Sequence, residues 1–155
     1  MPITVRICRS PEDWQAARLL LGEYWAWLDQ PPGFQDFETE KATLEGLYSG
    51  PAGCFLLASS DCRPVACGAY RRHDAARCEA KRVFVRPAFQ GSGLGRIIVE
   101  RLIGEAREAG YSNMVADTMP FMTAALALYL DMGFERRGPY SGKPTPGAIF
   151  LTRAL

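Results

Sequence analysis

The run Val83-Phe84-Val85-Arg86-Pro87-Ala88-Phe89-Gln90-Gly91-Ser92-Gly93-Leu94-Gly95-Arg96 decides the fold. Val83 to Val85 read as the end of a strand, Arg86-Pro87 closes it, and a helix begins near Leu94. Between strand and helix stand glycines at alternate positions, Gly91, Gly93 and Gly95. Glycine weakens both kinds of element, so the run serves something other than stability. It bares the backbone at a helix N-terminus, where N–H groups point outward and the macrodipole is positive, which makes an anion site. Gln90 and Arg96 flank that site as donors. A plain tight turn would also account for the glycines.

Downstream, Leu94, Ile97, Ile98, Leu102, Ile103 and Ala106 share one face of an amphipathic helix that Gly110 ends. A strand over 113–118 follows, then a helix over 123–131 with Gly133 beyond it, and short strands over 134–136 and 149–153. Upstream, a strand from Cys78 to Val85 completes one right-handed strand-helix-strand crossover between residues 78 and 118. A hairpin over 54–59 and 64–70 precedes it. Further back, Ile3 to Ile7 alternates as a half-buried strand does, and Ser10-Pro11-Glu12 caps and opens a helix reaching Leu28. One shorter helix is expected over 37–47. The order predicts an α/β (α+β) fold with a mixed sheet and helices on it. No repeat or linker divides the chain, so residues 1–155 are expected to form a single domain.

The chain has 155 residues, 48% of them hydrophobic and 23% charged, with a net charge of +1. That balance argues against disorder, and against a basic face holding nucleic acid or an anionic membrane. No stretch approaches the roughly 20 apolar residues of a membrane span, and the first residues lack the apolar core of a signal peptide. A soluble, cytoplasmic protein is expected. Cys8, Cys54, Cys62, Cys67 and Cys78 form no CxxC pair and read mostly as buried thiols. The single histidine, His73, lies in the polar run Arg71-Arg72-His73-Asp74 and reads as a solvated loop residue. Neither a metal set nor a histidine triad is indicated.

Three phosphate cradles were compared with the glycine run. A P-loop needs a lysine after the glycines, and there is none. A dinucleotide fingerprint needs Gly-x-Gly-x-x-Gly after the first strand, a different spacing and place. The third form, Gln/Arg-x-x-Gly-x-Gly/Ala after a strand ending in Val-x-Pro, is met by Gln90 to Gly95. At this point the chain resembles the GNAT superfamily of acetyl-CoA-dependent N-acyltransferases. Cys78 to Pro87 looks like the fourth strand of a bacterial branch that often reads Glu-x-Lys-Arg-Leu-Tyr-Val-x-Pro. Asp117-Thr118 resembles the end of the fifth strand. Ala125 to Phe134 matches Ala-x-x-Leu-Tyr-x-x-x-Gly-Phe, and Tyr140 to Leu151 resembles the family's closing Tyr...Pro-x-Pro-Gly-Ala-x-Phe-Leu.

The resemblance implies a GNAT fold: a mostly antiparallel sheet of about six to seven strands, splayed at its centre and flanked by about four helices, with a cofactor-binding core over about 78–134. It implies acetyl-CoA as cosubstrate, without a metal. Coenzyme A would be held by Phe84, Val85, Gln90, Gly91, Ser92, Gly93, Leu94, Gly95, Arg96 and Tyr129. The strands carrying Val83 to Val85 and Met114 to Asp117 would part to admit the pantetheine arm, and a backbone N–H near Val85 would hold the oxyanion.

Acetyl transfer to an amine has two proton problems. An alkylamine with a pKa of about 10.4 is protonated at neutral pH and needs a base, whereas a departing thiolate with a pKa of about 8.5 is helped by an acid. The family commonly places a tyrosine for the second task, and Tyr129 holds that position; it also reads as a core aromatic. Glu79 is the leading base, expected by alternation to share a face with Lys81, Val83 and Val85, either in a cleft or paired with the lysine. Asp117 is a second carboxylate, which would also serve as a cap or loop anchor.

Tyr24, Trp25, Trp27, Phe34 and Phe37 would roof the acceptor cleft or pack on one another. Of these Trp25 and Phe34, with Asp117 and Tyr140, are the candidate substrate contacts, and Lys143, Arg71 and Arg72 are further ones. The expected activity is direct transfer from acetyl-CoA to a primary amine of a small molecule, with no covalent enzyme intermediate, because no cysteine lies in a nucleophile setting: Cys78 stands beside Glu79 without a histidine partner. Transfer to a protein or peptide, and a non-catalytic coenzyme A sensor, are the alternatives. The expected partners are a small-molecule amine and a second copy of the chain in a homodimer, with neither nucleic acid nor membrane.

Overall fold

The computed structural model describes residues 2–29 and 37–155. Its first strand, β1 (Ile3–Ile7), leads into α1 (Pro11–Leu28) through a reciprocal cap. Asp13 donates its backbone N–H to the Ser10 hydroxyl at 3.2 Å, and the Asp13 carboxylate accepts the N–H of Ser10 at 3.2 Å and of Arg9 at 3.0 Å. The apolar stripe Trp14, Ala17, Leu20, Leu21, Tyr24 and Leu28 is buried.

The single helix expected over 37–47 is two, α2 (Phe37–Ala42) and α3 (Leu44–Tyr48), so among the described residues five helices flank the sheet where about four were expected. The break has two causes, one within the segment and one from α1. Thr43 Oγ1 donates to the Thr39 carbonyl at 2.9 Å, and Arg18 Nε reaches from α1 to the Lys41 carbonyl at 3.2 Å. Side chains thus take carbonyls that the helix ladder uses, and a β-branched residue stands at the joint.

The remaining strands are β2 (Cys54–Ser60), β3 (Arg63–Arg72), β4 (Arg77–Val85), β5 (Asn113–Thr118), β6 (Glu135–Arg137) and β7 (Ile149–Ala154). They form one seven-stranded sheet in the order β1-β2-β3-β4-β5-β7-β6. Among the described residues only the β4–β5 pair is parallel, and the crossover between them carries α4 (Leu94–Glu108). The last helix, α5 (Thr123–Asp131), leads to the final strand pair.

Helix α4 buries Ile98, Val99, Leu102, Ile103 and Ala106 against one face of the sheet, where Leu56, Ala66, Tyr70, Cys78, Ala80 and Met114 meet it. On the other face, α1 and α3 pack on Phe55, Leu57, Cys67, Ala69 and Phe84. Gly68 lets α4 approach this closely, since a Cβ there would stand 2.3 Å from Ile98 Cγ2. Among the described residues no helix is long and apolar enough to cross a membrane, and no three His, Cys, Asp or Glu side chains gather to hold a metal.

Two features of β4 shape everything beside it. The first is a fork. The β4–β5 ladder holds Arg77↔Asn113, Cys78↔Met114 and Glu79↔Val115 and then stops. Beyond it β4 follows β3 as far as Val85, while β5 follows β7 as far as Thr118. The second is a bulge. Cys67 lies opposite Phe84 but Ala69 lies opposite Lys81, so Arg82 and Val83 together face Gly68, and Arg82 takes φ 62°.

The bulge corrects the expected alternation. Val83 and Val85 pack on the α4 side, while Phe84 belongs to the α1 side, where Arg82 meets Glu40 of α2. Glu79 and Lys81, out of phase with the α4-side residues Cys78 and Ala80, therefore share the α1 side with Arg82 and Phe84 instead of with the two valines.

Candidate active site

The glycine run does what its backbone freedom allows. Gly91 and Gly93 adopt φ of 80° and 87°, and neither has a heavy atom within 4 Å of where a Cβ would stand. Gly93 is the N-cap of α4, with no side chain accepting from the first-turn amides and no acidic residue in that turn. Those N–H groups are open to an anion. The Gln90 side chain donates to the Val85 carbonyl at 3.0 Å, tying the cradle to the end of β4, and the Ser92 hydroxyl turns back to the Phe89 carbonyl. Arg96 points elsewhere: it pairs with Asp131 of α5 and, at 3.3 Å, with Glu100. The cradle is thus built of backbone, with Arg96 bracing its helix against α5.

Next to the cradle the fork opens into a cleft of about 320 Å³. Phe84, Val85, Gln90, Gly91, Gly93, Leu94, Gly95, Asp117 and Tyr129 all line it, as do Tyr24, Trp27, Lys81, Thr118, Phe121 and Met122. The β4 edge beyond Glu79 has no β5 partner, so its peptide groups are available to an extended amide chain. The cradle and this edge suit coenzyme A: positive backbone for a pyrophosphate, strand edge for the pantetheine amides.

Tyr129 is buried and packs edge-on against Phe134 at 5.0 Å. Its hydroxyl has no hydrogen-bond partner among the described residues, and burial, with Tyr24, Asp117 and Glu79 nearby, pushes the phenol above its usual value. It holds its proton and can donate it. Asp117 is also raised, first by burial and further by Glu79, against the lowering effect of Lys81 and Arg82. A desolvated carboxylate of this kind accepts a proton more readily than an ordinary aspartate.

Glu79 is placed differently. It is buried beside the cleft, not among the residues lining it, and its oxygens are occupied. Arg71 Nε donates to Oε1 at 3.2 Å, the Tyr140 hydroxyl donates to Oε2 at 2.7 Å, and Lys81 Nζ stands 3.8 Å from Oε1. Burial works to raise its pKa, but Lys81, Tyr140 and Arg71 outweigh burial and hold the carboxyl below its usual range. Tyr140 accordingly braces Glu79, with its ring against Phe150 and its carbonyl bonded to His73 Nε2 at 3.1 Å. His73 is therefore a half-buried, bonded residue and not the solvated loop histidine expected.

Of the aromatic candidates, Trp25 stacks on Phe37 at 4.3 Å away from the cleft, and Phe34 lies outside the described residues. Tyr24 and Trp27 reach the cleft instead, flanking Phe84 at 5.5 and 6.0 Å. Lys143 and Arg72 are exposed. Lys81, Thr118 and Trp27 are cleft residues to which no sequence motif assigned a role. Trp27 was legible only as one of an aromatic cluster, because the helix periodicity did not say which member faces the sheet opening. Cys8, Cys54, Cys67 and Cys78 are buried, and burial pushes the last three up to about 12, so they remain neutral thiols.

The model of the acetyltransferase (GNAT) family matches residues 14–134. The chain is 30% identical over 152 residues to an uncharacterized N-acetyltransferase of Schizosaccharomyces pombe, covering 96% of this chain and 93% of that one. It is 36% identical over 103 residues to an IAA acetyltransferase of Azospirillum brasilense, covering 65% and 67% of the two chains. Its fold is similar to that of an N-acetyltransferase from Thermoplasma acidophilum solved in complex with coenzyme A, with a TM-score of 0.77, 15% identity and full coverage of both chains. The chain therefore belongs to the GNAT acetyltransferase family and is an acyltransferase.

Proposed function

We propose that this protein moves the acetyl group of acetyl-CoA directly to the primary amine of a small molecule, and that it belongs to the Glu-x-Lys-Arg branch of the family. The observation that carries the proposal is the convergence, in one cleft at the β4–β5 fork, of an anion cradle, an unpaired strand edge, a phenol with a free hydroxyl and a desolvated carboxylate. Acetyl-CoA would supply a carbonyl activated by its thioester bond. Everything else falls to the chain. The N-terminal amides of α4 hold the phosphates, the β4 edge aligns the thioester arm, and Tyr129 gives its proton to the departing sulfur.

Asp117 takes the base role in this reading, because it lines the cleft with a raised pKa, whereas Glu79 is engaged on both oxygens. Glu79 then acts as a positioning residue that fixes Lys81 and Arg71. No cysteine is needed as nucleophile, in keeping with the neutral buried thiols. A small acceptor is favoured because the cleft is of only about 320 Å³ and Tyr24, Trp27, Phe121 and Met122 are among the residues lining it.

The test is thiol release from acetyl-CoA across small amines and peptides, with the acetylated product identified by mass. Turnover of small amines is expected. Turnover of peptides alone would overturn the acceptor class, and coenzyme A binding with no turnover would identify a sensor.

A further inference from the structure

Lys81 and Asp117 occupy a position that acetyl transfer as such does not explain. The last rung of the β4–β5 ladder is Glu79↔Val115. Continuing that register by two residues sets Lys81 against Asp117, on the same face, at the first place where the strands have parted. Two opposite charges thus stand across the mouth of the fork, both lining the cleft, and they form no ion pair with each other.

Neither is fully satisfied: Lys81 has only its long pair with Glu79, and Asp117 only its own backbone N–H. The Lys81 side chain is only 9% exposed, yet Nζ makes no hydrogen bond among the described residues, and its nearest carboxylate oxygen is Glu79 Oε1 at 3.8 Å. That oxygen already accepts from Arg71. Among the described residues the Asp117 carboxylate accepts from no other side chain, and the buried hydroxyl of the adjacent Thr118, also in the cleft, has no partner. Buried ammonium and hydroxyl groups are costly to leave without partners, so this is a place built to be completed by something else.

Glu79 is one carboxylate shared between two cations, Arg71 at 3.2 Å and Lys81 at 3.8 Å, while Arg82 is matched by Glu40 through a buried pair at 2.6 Å. What remains is one cation and one anion separated by the width of the opening. The complement of such a pair is a molecule with a carboxylate at one end and an ammonium at the other. We propose that the acceptor amine carries its own carboxylate, as a free amino acid does: Lys81 binds the carboxylate, and Asp117 binds the ammonium that is to be acetylated.

This rests on the small-molecule acetyl-transfer reading and narrows its substrate. The protons balance. The bound ammonium gives one proton to Asp117, the freed nitrogen attacks the thioester carbon, the C–S bond breaks and sulfur takes the Tyr129 proton. The nitrogen's second proton restores Tyr129, and Asp117 releases its proton to solvent. One amide and one thiol are formed for each proton released.

The experiment compares the L-amino acids with their carboxamides and with simple alkylamines, following thiol release in the wild-type chain, Lys81→Met and Lys81→Arg. Carboxylate-bearing acceptors are expected to exceed their amides in kcat/KM by roughly 30-fold or more, the scale of a lost desolvated charge contact. Lys81→Met should remove that preference by raising KM, Lys81→Arg should restore part of it, and coenzyme A affinity should be the same in all three. Amides or alkylamines used as well as amino acids by the wild-type chain would overturn this inference and leave small-molecule acetyl transfer standing. An unchanged preference in a folded Lys81→Met chain would do the same. Failure of every small amine would overturn both.

Discussion

Arg82 grips Glu40 through two buried bonds, Nε to Oε2 at 2.6 Å and Nη2 to Oε1 at 2.9 Å, and does so from the left-handed residue of the β4 bulge. The guanidinium also lies over the Phe37 ring at 4.8 Å. The extra residue turns Arg82 to the α1 side, and the ion pair then fastens α2 to the sheet beside the cleft. Backbone irregularity and charge pairing are one device. A left-handed arginine costs about 1 kcal/mol or more, and the surrounding contacts offset it.

Removing one partner should therefore be far worse than removing both. Arg82→Met strands the Glu40 carboxylate in the interior, and a loss of about 3–5 kcal/mol is expected. Combining it with Glu40→Leu should recover most of that loss in denaturant unfolding. A single variant as stable as the wild type would show that the pair does not hold α2 in place.

Tyr129→Phe tests the acid. The ring and its contact with Phe134 at 5.0 Å survive, and only the hydroxyl is lost. A fall in kcat of about 100-fold or more is expected, with coenzyme A affinity within about twofold, as general acid catalysis requires. An unchanged kcat would remove Tyr129 from the chemistry.

Gly93→Val tests the cradle. A β-branched residue is strongly disfavoured at φ 87°, so the loop must move to take it. Coenzyme A affinity should weaken about tenfold or more, while the unfolding midpoint shifts by the smaller cost of one strained residue. Unaltered affinity in calorimetry would place the phosphates elsewhere.

The pH dependence separates the two carboxylates. A base acts in its deprotonated form, so kcat should rise with pH through the pKa of the group responsible. Burial, with Glu79 adding to it against Lys81 and Arg82, places Asp117 above the ordinary aspartate range, while Lys81, Tyr140 and Arg71 hold Glu79 below the usual glutamate range despite its burial. The acid limb is expected above the ordinary aspartate range, and Asp117→Asn should abolish it together with about 100-fold or more of the rate. A limb below that range, kept in Asp117→Asn and lost in Glu79→Gln, would assign the base to Glu79.

How far the sequence announced this molecule depended on whether each feature is local. Ser10 and Asp13 cap α1 through their own neighbours, and the glycines at 91 and 93 need only their own φ, so both were legible from spacing. The helix break at Thr43 was not, because Arg18 reaches the Lys41 carbonyl from another helix. The bulge is still less local: it exists because β4 carries one residue more than β3 between two rungs, which no pattern within β4 records. Periodicity alone therefore put Glu79 and Lys81 on the face of Val83 and Val85. Lys81 read as a partner for Glu79, from which it stands 3.8 Å, but not as a cleft residue, because its place in the cleft depends on where β4 and β5 part.

The most direct test of the central claim is the fate of a labelled acetyl carbon. Acetyl-CoA labelled in its acetyl group is mixed with excess protein and a pool of small amines, and the label is followed through one turnover. It should leave as an N-acetylated small molecule, equal in amount to the thiol released and with none on the protein. Label left on the cofactor, or found covalently on the chain, would contradict the claim.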